Sequence, residues 1–145
     1  MSKIEVPFVR LHPQALEPTR ATEGAAGYDL YSVERMWLAP RGFRAVDTGI
    51  GLQLPPGYEA QVRPRSGLAI KHGLGVLNSP GTIDSDYRGS IRVILVNHGD
   101  TAFLVEPGMR IAQLVFAQVE LPVLLEVTAL ERTLRDQGGF GSTGV

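Results

Sequence analysis

The chain has 145 residues, 43% of them hydrophobic, with a formal net charge of -1 and no cysteine. That length suits one domain with a core of its own. The near-neutral balance argues against a general binder of nucleic-acid backbones, which carries a basic stripe, and the lack of cysteine excludes a disulfide framework and thiolate metal sites.

The opening segment, MSKIEVPFVRLHP, lacks the apolar centre of a signal peptide. No apolar run approaches the ~20 residues of a membrane span, so a soluble, cytoplasmic protein is expected. His12, His72 and His98 are scattered and lack metal-ligand spacing.

Seventeen glycines and ten prolines cut the chain into short pieces. Few windows remain for the ~10–12 residues of a typical helix. The pieces read as strands over residues 4–11, 28–33, 44–47, 51–54, 58–63, 90–97, 103–105 and 110–119. Pro55-Pro56-Gly57 marks a turn. Residues 90–97, SIRVILVN, are β-branched and expected to be buried on both faces. Residues 110–119, RIAQLVFAQV, read as a long strand, although the pattern alone also permits a helix. One short helix is predicted at 67–71, with Ser66 as its N-cap. Residues 120–134 are apolar but contain Pro122, so they read as an extended arm, with or without a helical turn. The end, QGGFGSTGV, is too rich in glycine to be ordered alone. It is either a discarded end or a lid with Phe140 as its one large residue. The chain thus divides into a domain over 1–134 and a tail over 135–145. Many short strands with turns between them predict a sandwich, barrel or jelly roll.

Four clusters carry chemistry-bearing residues. In GTIDSDYRGSI, residues 81–91, Asp84 and Asp86 stand two apart and would share one face of a strand. Gly81 and Gly89 bracket them, as in a hairpin whose backbone can approach a ligand. An acid there, with Tyr87 beside it, suits a flat polar ring bearing a reacting group; ordinary turn chemistry would use the same residues. Asp29 starts a strand after a glycine-bearing turn. Arg65, Ser66 and Gly67 put a guanidinium, a hydroxyl and a free N–H at the mouth of the helix, where anions are attracted. A surface arginine beside a capping serine would look the same. Gln113 lies within an apolar strand, and a buried amide needs partners.

Together and in this order, these clusters resemble the trimeric deoxyuridine triphosphatases, the dUTP nucleotidohydrolases. The resemblance runs from Gly24 to Gly144 through AAGYDLYS (25–32), PRSGLAIKHG (64–73), NSPGTIDSDYRG (78–89), PGMRIAQLV (107–115) and RDQGGFGSTG (135–144). It implies an all-β, β-clip or jelly-roll-like subunit with one short helix and an extended C-terminal arm. It further implies a homotrimer in which each site draws on three chains, the tail coming from a neighbour. Asp84 matches the general base, which also holds the sugar 3′-hydroxyl. Tyr87 matches the residue packed on deoxyribose, which leaves no room for a 2′-hydroxyl. Asn78 and the backbone of Gly81, Thr82 and Ile83 match the uracil reader. Arg65, Ser66 and Gly67 match phosphate contacts, and Gln113 a residue near the α-phosphate and the attacking water. Asp29 matches the acid that reaches Mg2+ through its water shell, the metal being held mainly by the triphosphate. In the tail, Phe140 matches a stack on uracil, while Arg135, Gly141, Ser142 and Thr143 belong to the segment closing over the phosphates.

The implied reaction is Mg2+-assisted hydrolysis of dUTP to dUMP and pyrophosphate, which keeps uracil out of DNA and supplies dUMP for thymidylate synthesis. The implied partners are the nucleotide and two further copies of the chain, with no nucleic acid and no membrane. A hairpin reader would reject a thymine methyl by collision and cytosine by opposing donors, and unpaired buried polar groups discriminate by ~10⁴ or more. Two residues depart from the pattern: Asp136 stands where glycine is usual, and Ser90 where an acid is common. The rival readings are a dCTP deaminase or bifunctional relative of the same fold, and a non-catalytic nucleotide-binding jelly roll.

Overall fold

The computed structural model describes residues 3–144. In chain order the strands are β1 (Phe8–Arg10), β2 (Tyr28–Tyr31), β3 (Met36–Leu38), β4 (Phe43–Asp47), β5 (Ile50–Leu52) and β6 (Tyr58–Arg63). The helix α1 (Ser66–His72) follows, then β7 (Leu74–Val76), β8 (Gly81–Ile83), β9 (Arg92–Asn97), β10 (Phe103–Val105) and β11 (Arg110–Gln118). The four-stranded sheet has the order β2-β11-β6-β8, the three-stranded sheet β4-β9-β7, and β1-β5 and β10-β3 form two-stranded ribbons. Every pairing is antiparallel. This is the all-β, jelly-roll-like architecture with one short helix that the sequence predicts.

The two larger sheets share one core. Leu30, Ala60, Val62, Ala112 and Leu114 from the first and Val46, Leu74, Val76, Val93 and Leu95 from the second belong to a single buried cluster. Burying the valines and leucines among them contributes roughly 1.5–3 kcal/mol each. Asn97 is buried at the end of β9 and fully used. Its Nδ2 donates to Leu38 O and Thr101 O at 3.1 and 2.8 Å, and its Oδ1 accepts from the Gly99 N–H at 2.9 Å. It therefore ties β9 to β3 and to the turn beyond. Gly57, at φ 84°, completes the turn predicted at Pro55-Pro56-Gly57, with the Tyr58 N–H donating to Pro55 O at 3.2 Å.

The strand expected over 110–119 is present as Arg110–Gln118, which settles the pattern against a helix. Other expectations are corrected. Of residues 4–11 only Phe8–Arg10 is a strand, because Pro7 has no N–H to give to a ladder. β3 and β7 were not anticipated; each has three residues, and Gly75 interrupts the apolar pattern of β7. On β9, Val93, Leu95 and Val96 are buried, but Arg92 is exposed and Ile94 half-buried, so the second face is incompletely covered. Ser66 is not the N-cap. Arg65 holds that position with extended backbone, Ser66 is the first helical residue, and no side chain caps the end.

After β11 the chain runs on as an extended arm without a helical turn. Val123, Leu124, Leu125 and Leu130 on it are between 82% and 94% exposed. A run of large apolar side chains this exposed has the character of an interaction surface.

Candidate active site

Two separate constellations are built on the four-stranded sheet. The first is a cavity of about 260 Å³ where β2, β11 and the start of α1 meet. Asp29 is fixed on β2 by its N–H, which donates to Thr19 O at 2.7 Å. One carboxylate oxygen faces Arg65 Nε at 3.2 Å and the other faces Arg110 Nη1 at 3.7 Å. Gln113 is half-buried and donates from Nε2 to Pro64 O at 2.9 Å, which holds the amide with its oxygen toward Gly27. A Cβ added at Gly27 would stand 2.3 Å from that oxygen, so any larger residue there must displace the Gln113 amide. With Ser66 and Gly67 at the rim, the cavity offers two guanidiniums, an amide, a hydroxyl and the N–H groups that a helix start leaves unpaired. It holds one carboxylate, Asp29, whose side chain is 15% exposed. Two positive charges against one negative leave the cavity with a net positive charge, which suits an anion.

Arg110 and Gly27 were not singled out from sequence. Strict alternation sends Arg110 and Gln113 to opposite faces. A register irregularity between Arg110 and Ala112 against β2 reverses this: Arg110 lies opposite Tyr31 and Ala112 opposite Leu30, leaving Ile111 as an extra residue. A bulge of this kind re-aims a side chain, and here it brings Arg110 to the same cavity as Gln113. The RIAQ spacing alone carries no sign of it.

The second constellation is the β8 hairpin. β8 pairs with β6 at the edge of its sheet, so one side of its backbone keeps N–H and C=O groups without a ladder partner. Asn78 lies over it, with Nδ2 3.5 Å from where a Gly81 Cβ would stand. Thr82 and Ile83 continue the strand, which stops at Ile83. Asp84 to Tyr87 then form a turn closed by the Tyr87 N–H donating to Asp84 O at 3.2 Å. The expectation that Asp84 and Asp86 alternate onto one strand face is therefore wrong in its reason, since neither lies in a strand. Both nonetheless line a cavity of about 420 Å³ with Glu59 and Thr82. Tyr87 does not line that cavity; its ring is folded back over Gly89. Ser90, the unusual residue, donates from Oγ to Asp47 Oδ1.

One chain does not bring the two constellations together. Gln113 pairs with Arg63 on β6, and Ile83 with Ala60. Asp84 thus lies four residues along and two strands across from Gln113, roughly 16 Å at ~3.3 Å per residue and ~4.8 Å per strand. The tail joins neither. Arg135 Nε donates to Gly138 O at 2.8 Å, Asp136 pairs with Arg132 at 3.5 Å, and Phe140 stands wholly exposed. Asp136 thus engages Arg132 rather than the neighbouring Arg135.

No group of three or more His, Cys, Asp or Glu side chains converges among the described residues. The anion cavity supplies one carboxylate. Such a donor set fits Mg2+, which keeps several waters and takes most of its remaining oxygens from phosphates rather than from a protein cage.

Fold and site together define a small all-β protein built to handle a phosphorylated ligand. Residues 14–144 match the family model for dUTPase. The chain is 51% identical over 144 residues to a deoxyuridine 5'-triphosphate nucleotidohydrolase of Wolinella succinogenes, covering 99% of this chain and 97% of the relative. It is 50% identical to the enzyme of that name from Clostridium kluyveri, covering 97% and 99%. Its fold matches the dUTPase of Staphylococcus bacteriophage 80alpha, solved with dUPNHPP, at a TM-score of 0.91 and 27% identity, covering 99% and 100%. The chain belongs to the dUTPase family.

Proposed function

We propose that the protein hydrolyses dUTP to dUMP and pyrophosphate, in the cytoplasm, as a homotrimer whose sites are shared between chains. The observation that carries this reading is the division of the site. In a chain of the dUTPase family, the Asp29–Arg65–Gln113 cavity and the β8 hairpin lie roughly 16 Å apart, so one α-phosphorus cannot touch both within a single chain. The exposed apolar arm supports assembly of the halves from different copies.

In the assembled site, Arg65 and Arg110 hold the phosphates with Ser66 and Gly67. A Cβ at Gly67 would meet nothing within 4 Å, so its glycine leaves room for the ligand rather than for the chain. The unpaired edge of Gly81, Thr82 and Ile83, with the Asn78 amide, forms hydrogen bonds to uracil. Tyr87 packs on the deoxyribose. Asp84 takes a proton from water as the water oxygen attacks the α-phosphorus in line. The bond to the α,β-bridging oxygen breaks, and pyrophosphate leaves with that electron pair. Gln113 orients the water against the α-phosphate. A general base contributes ~10²–10⁴ in rate. Asp29 would be the residue of this chain that holds Mg2+ brought in with the triphosphate, and the metal would supply charge neutralisation. Arg135, Phe140, Gly141, Ser142 and Thr143 close over the ligand from a neighbouring chain and exclude bulk water. The core over 1–134 and the tail over 135–145 act as separate units.

Pyrophosphate release measured across dUTP, dCTP, dTTP and UTP, with and without Mg2+, tests the reading. Mg2+-dependent release from dUTP alone is expected. Ammonia from dCTP would make the chain a deaminase, and no pyrophosphate from any of the four would overturn the enzyme reading.

A further inference from the structure

Tyr87 owes its position to a chain of contacts that ends far from it in sequence. Its hydroxyl donates to Ser90 O at 2.9 Å. Its ring lies on the backbone of Gly89 so closely that a Cβ there would stand 2.4 Å from the hydroxyl oxygen and 2.6 Å from Cζ. The Ser90–Ile91 peptide that accepts this bond is itself held from the other side. The Ile91 N–H of that peptide donates to Ile50 O at 2.8 Å, and the carbonyl of the next peptide, Ile91 O, accepts from Thr48 Oγ1 at 2.7 Å and from the Thr48 N–H at 3.1 Å. The Ser90 side chain donates to Asp47 Oδ1, which also accepts the Gly49 N–H at 2.9 Å. Asp47 is in turn fixed by its own N–H, which donates to Glu34 Oε2 at 2.9 Å.

We infer that the Asp47–Ser90 pair is a specificity-determining positioning element: it clamps the peptide that anchors the Tyr87 hydroxyl, and so sets how much room the ring leaves beside the sugar. The inference rests on the reading of Tyr87 as the residue packed on deoxyribose. Asp47 and Ser90 touch no reacting atom; they act through the Tyr87 ring. Asp47 Oδ1 accepts from the Ser90 hydroxyl and from the Gly49 N–H together, so one side-chain oxygen ties the Ser90 segment to the turn after β4. A 2′-hydroxyl is excluded only if the ring cannot retreat by about an ångström, so loosening the anchor should appear first as loss of sugar discrimination, not as loss of turnover.

The test compares kcat/KM for dUTP and for UTP, together with Tm, in Ser90→Ala, Ser90→Thr, Asp47→Ala, Asp47→Asn, Tyr87→Phe and Tyr87→Ala. Ser90→Ala, Asp47→Ala and Tyr87→Phe should each lower the dUTP/UTP ratio by about tenfold. Ser90→Thr keeps the hydroxyl, and Asp47→Asn keeps an acceptor for both the Ser90 hydroxyl and the Gly49 N–H, so both should retain the ratio. Tyr87→Phe combined with Ser90→Ala should do no more than either alone, the signature of one shared path. Ser90→Ala that lowers Tm with an unchanged ratio overturns the inference, because the pair is then merely structural. If Tyr87→Ala itself leaves the rejection of UTP unchanged, the sugar-facing role of Tyr87 fails, and this inference fails with it. Loss of the ratio in Tyr87→Ala but not in Ser90→Ala overturns the inference alone.

Discussion

The carboxamide oxygen of Gln113 lies on the backbone of Gly27, 2.3 Å from where a Cβ would be, with Gln113 Cβ and Cδ each 3.1 Å away. The side chain cannot simply swing clear, because its own Cβ is part of the contact and its Nε2 is held by Pro64 O. Gly27→Ala should therefore displace the amide and spread β2 from β11. Overpacking of this kind costs about 1–3 kcal/mol, so Tm should fall by several degrees. Turnover should fall more than the stability loss accounts for, by about tenfold or more. Full activity with an unshifted Tm would mean that Gln113 is free to move and orients nothing.

The separation of Asp84 from the anion cavity predicts complementation between dead chains. Asp84→Asn should keep nucleotide binding while turnover falls by at least ~10², and Arg65→Ala should weaken binding of the triphosphate. Neither alone turns over dUTP well. If a site takes Asp84 from one copy and Arg65 from another, mixed trimers formed by co-refolding contain sites with both wild-type residues. Random mixing at equal amounts gives about a quarter of the sites that form, so activity should return to about a quarter of the wild-type rate. No recovery would mean that one chain carries the whole site.

The strand content was legible where residues obey a simple period, and the site was legible as a set of motifs. Tyr58–Arg63 and Phe103–Val105 lie where the apolar runs put them. What was hidden depends on backbone irregularity. Arg110 reaches the Gln113 cavity only because the chain bulges at Ile111, and a period-2 reading cannot contain a bulge. Asp84 and Asp86 meet one cavity through a turn, not through alternation. Ser66 was read as a cap because serine favours that position, but the extended Arg65 precedes the first helical turn and its guanidinium goes to Asp29. There local propensity gave way to an ion pair across the fold.

The apolar arm predicts an assembly defect that leaves each subunit folded. Leu124 and Leu125 are 92% and 82% exposed in the single chain, so polar replacements cost the isolated fold nothing. If a neighbouring copy buries them, each leucine contributes roughly 1.5–3 kcal/mol to the interface. The double change Leu124→Ser and Leu125→Ser should shift sedimentation from trimer toward monomer at low concentration, with near-native circular dichroism. A trimer of unchanged stability on dilution would leave the arm without an assembly role.

Removal of the tail after Leu134 should separate stability from activity. Within the chain the contacts of residues 135–144 are local: Gly138 N–H to Arg135 O at 3.0 Å, Ser142 N–H to Gly139 O at 3.0 Å and Gly144 N–H to Gly141 O at 2.9 Å. None of them reaches the core cluster, so the truncated variant should keep its Tm and its oligomeric state. Turnover of dUTP should nevertheless fall by at least ~10², the scale expected when a closing segment no longer excludes water or completes the site. Phe140→Ala should take part of that loss. Adding excess wild-type chain and allowing subunits to exchange should restore activity to the truncated sites, because a neighbour's tail can serve them. Undiminished turnover in the truncated variant would reduce residues 135–144 to a passive end.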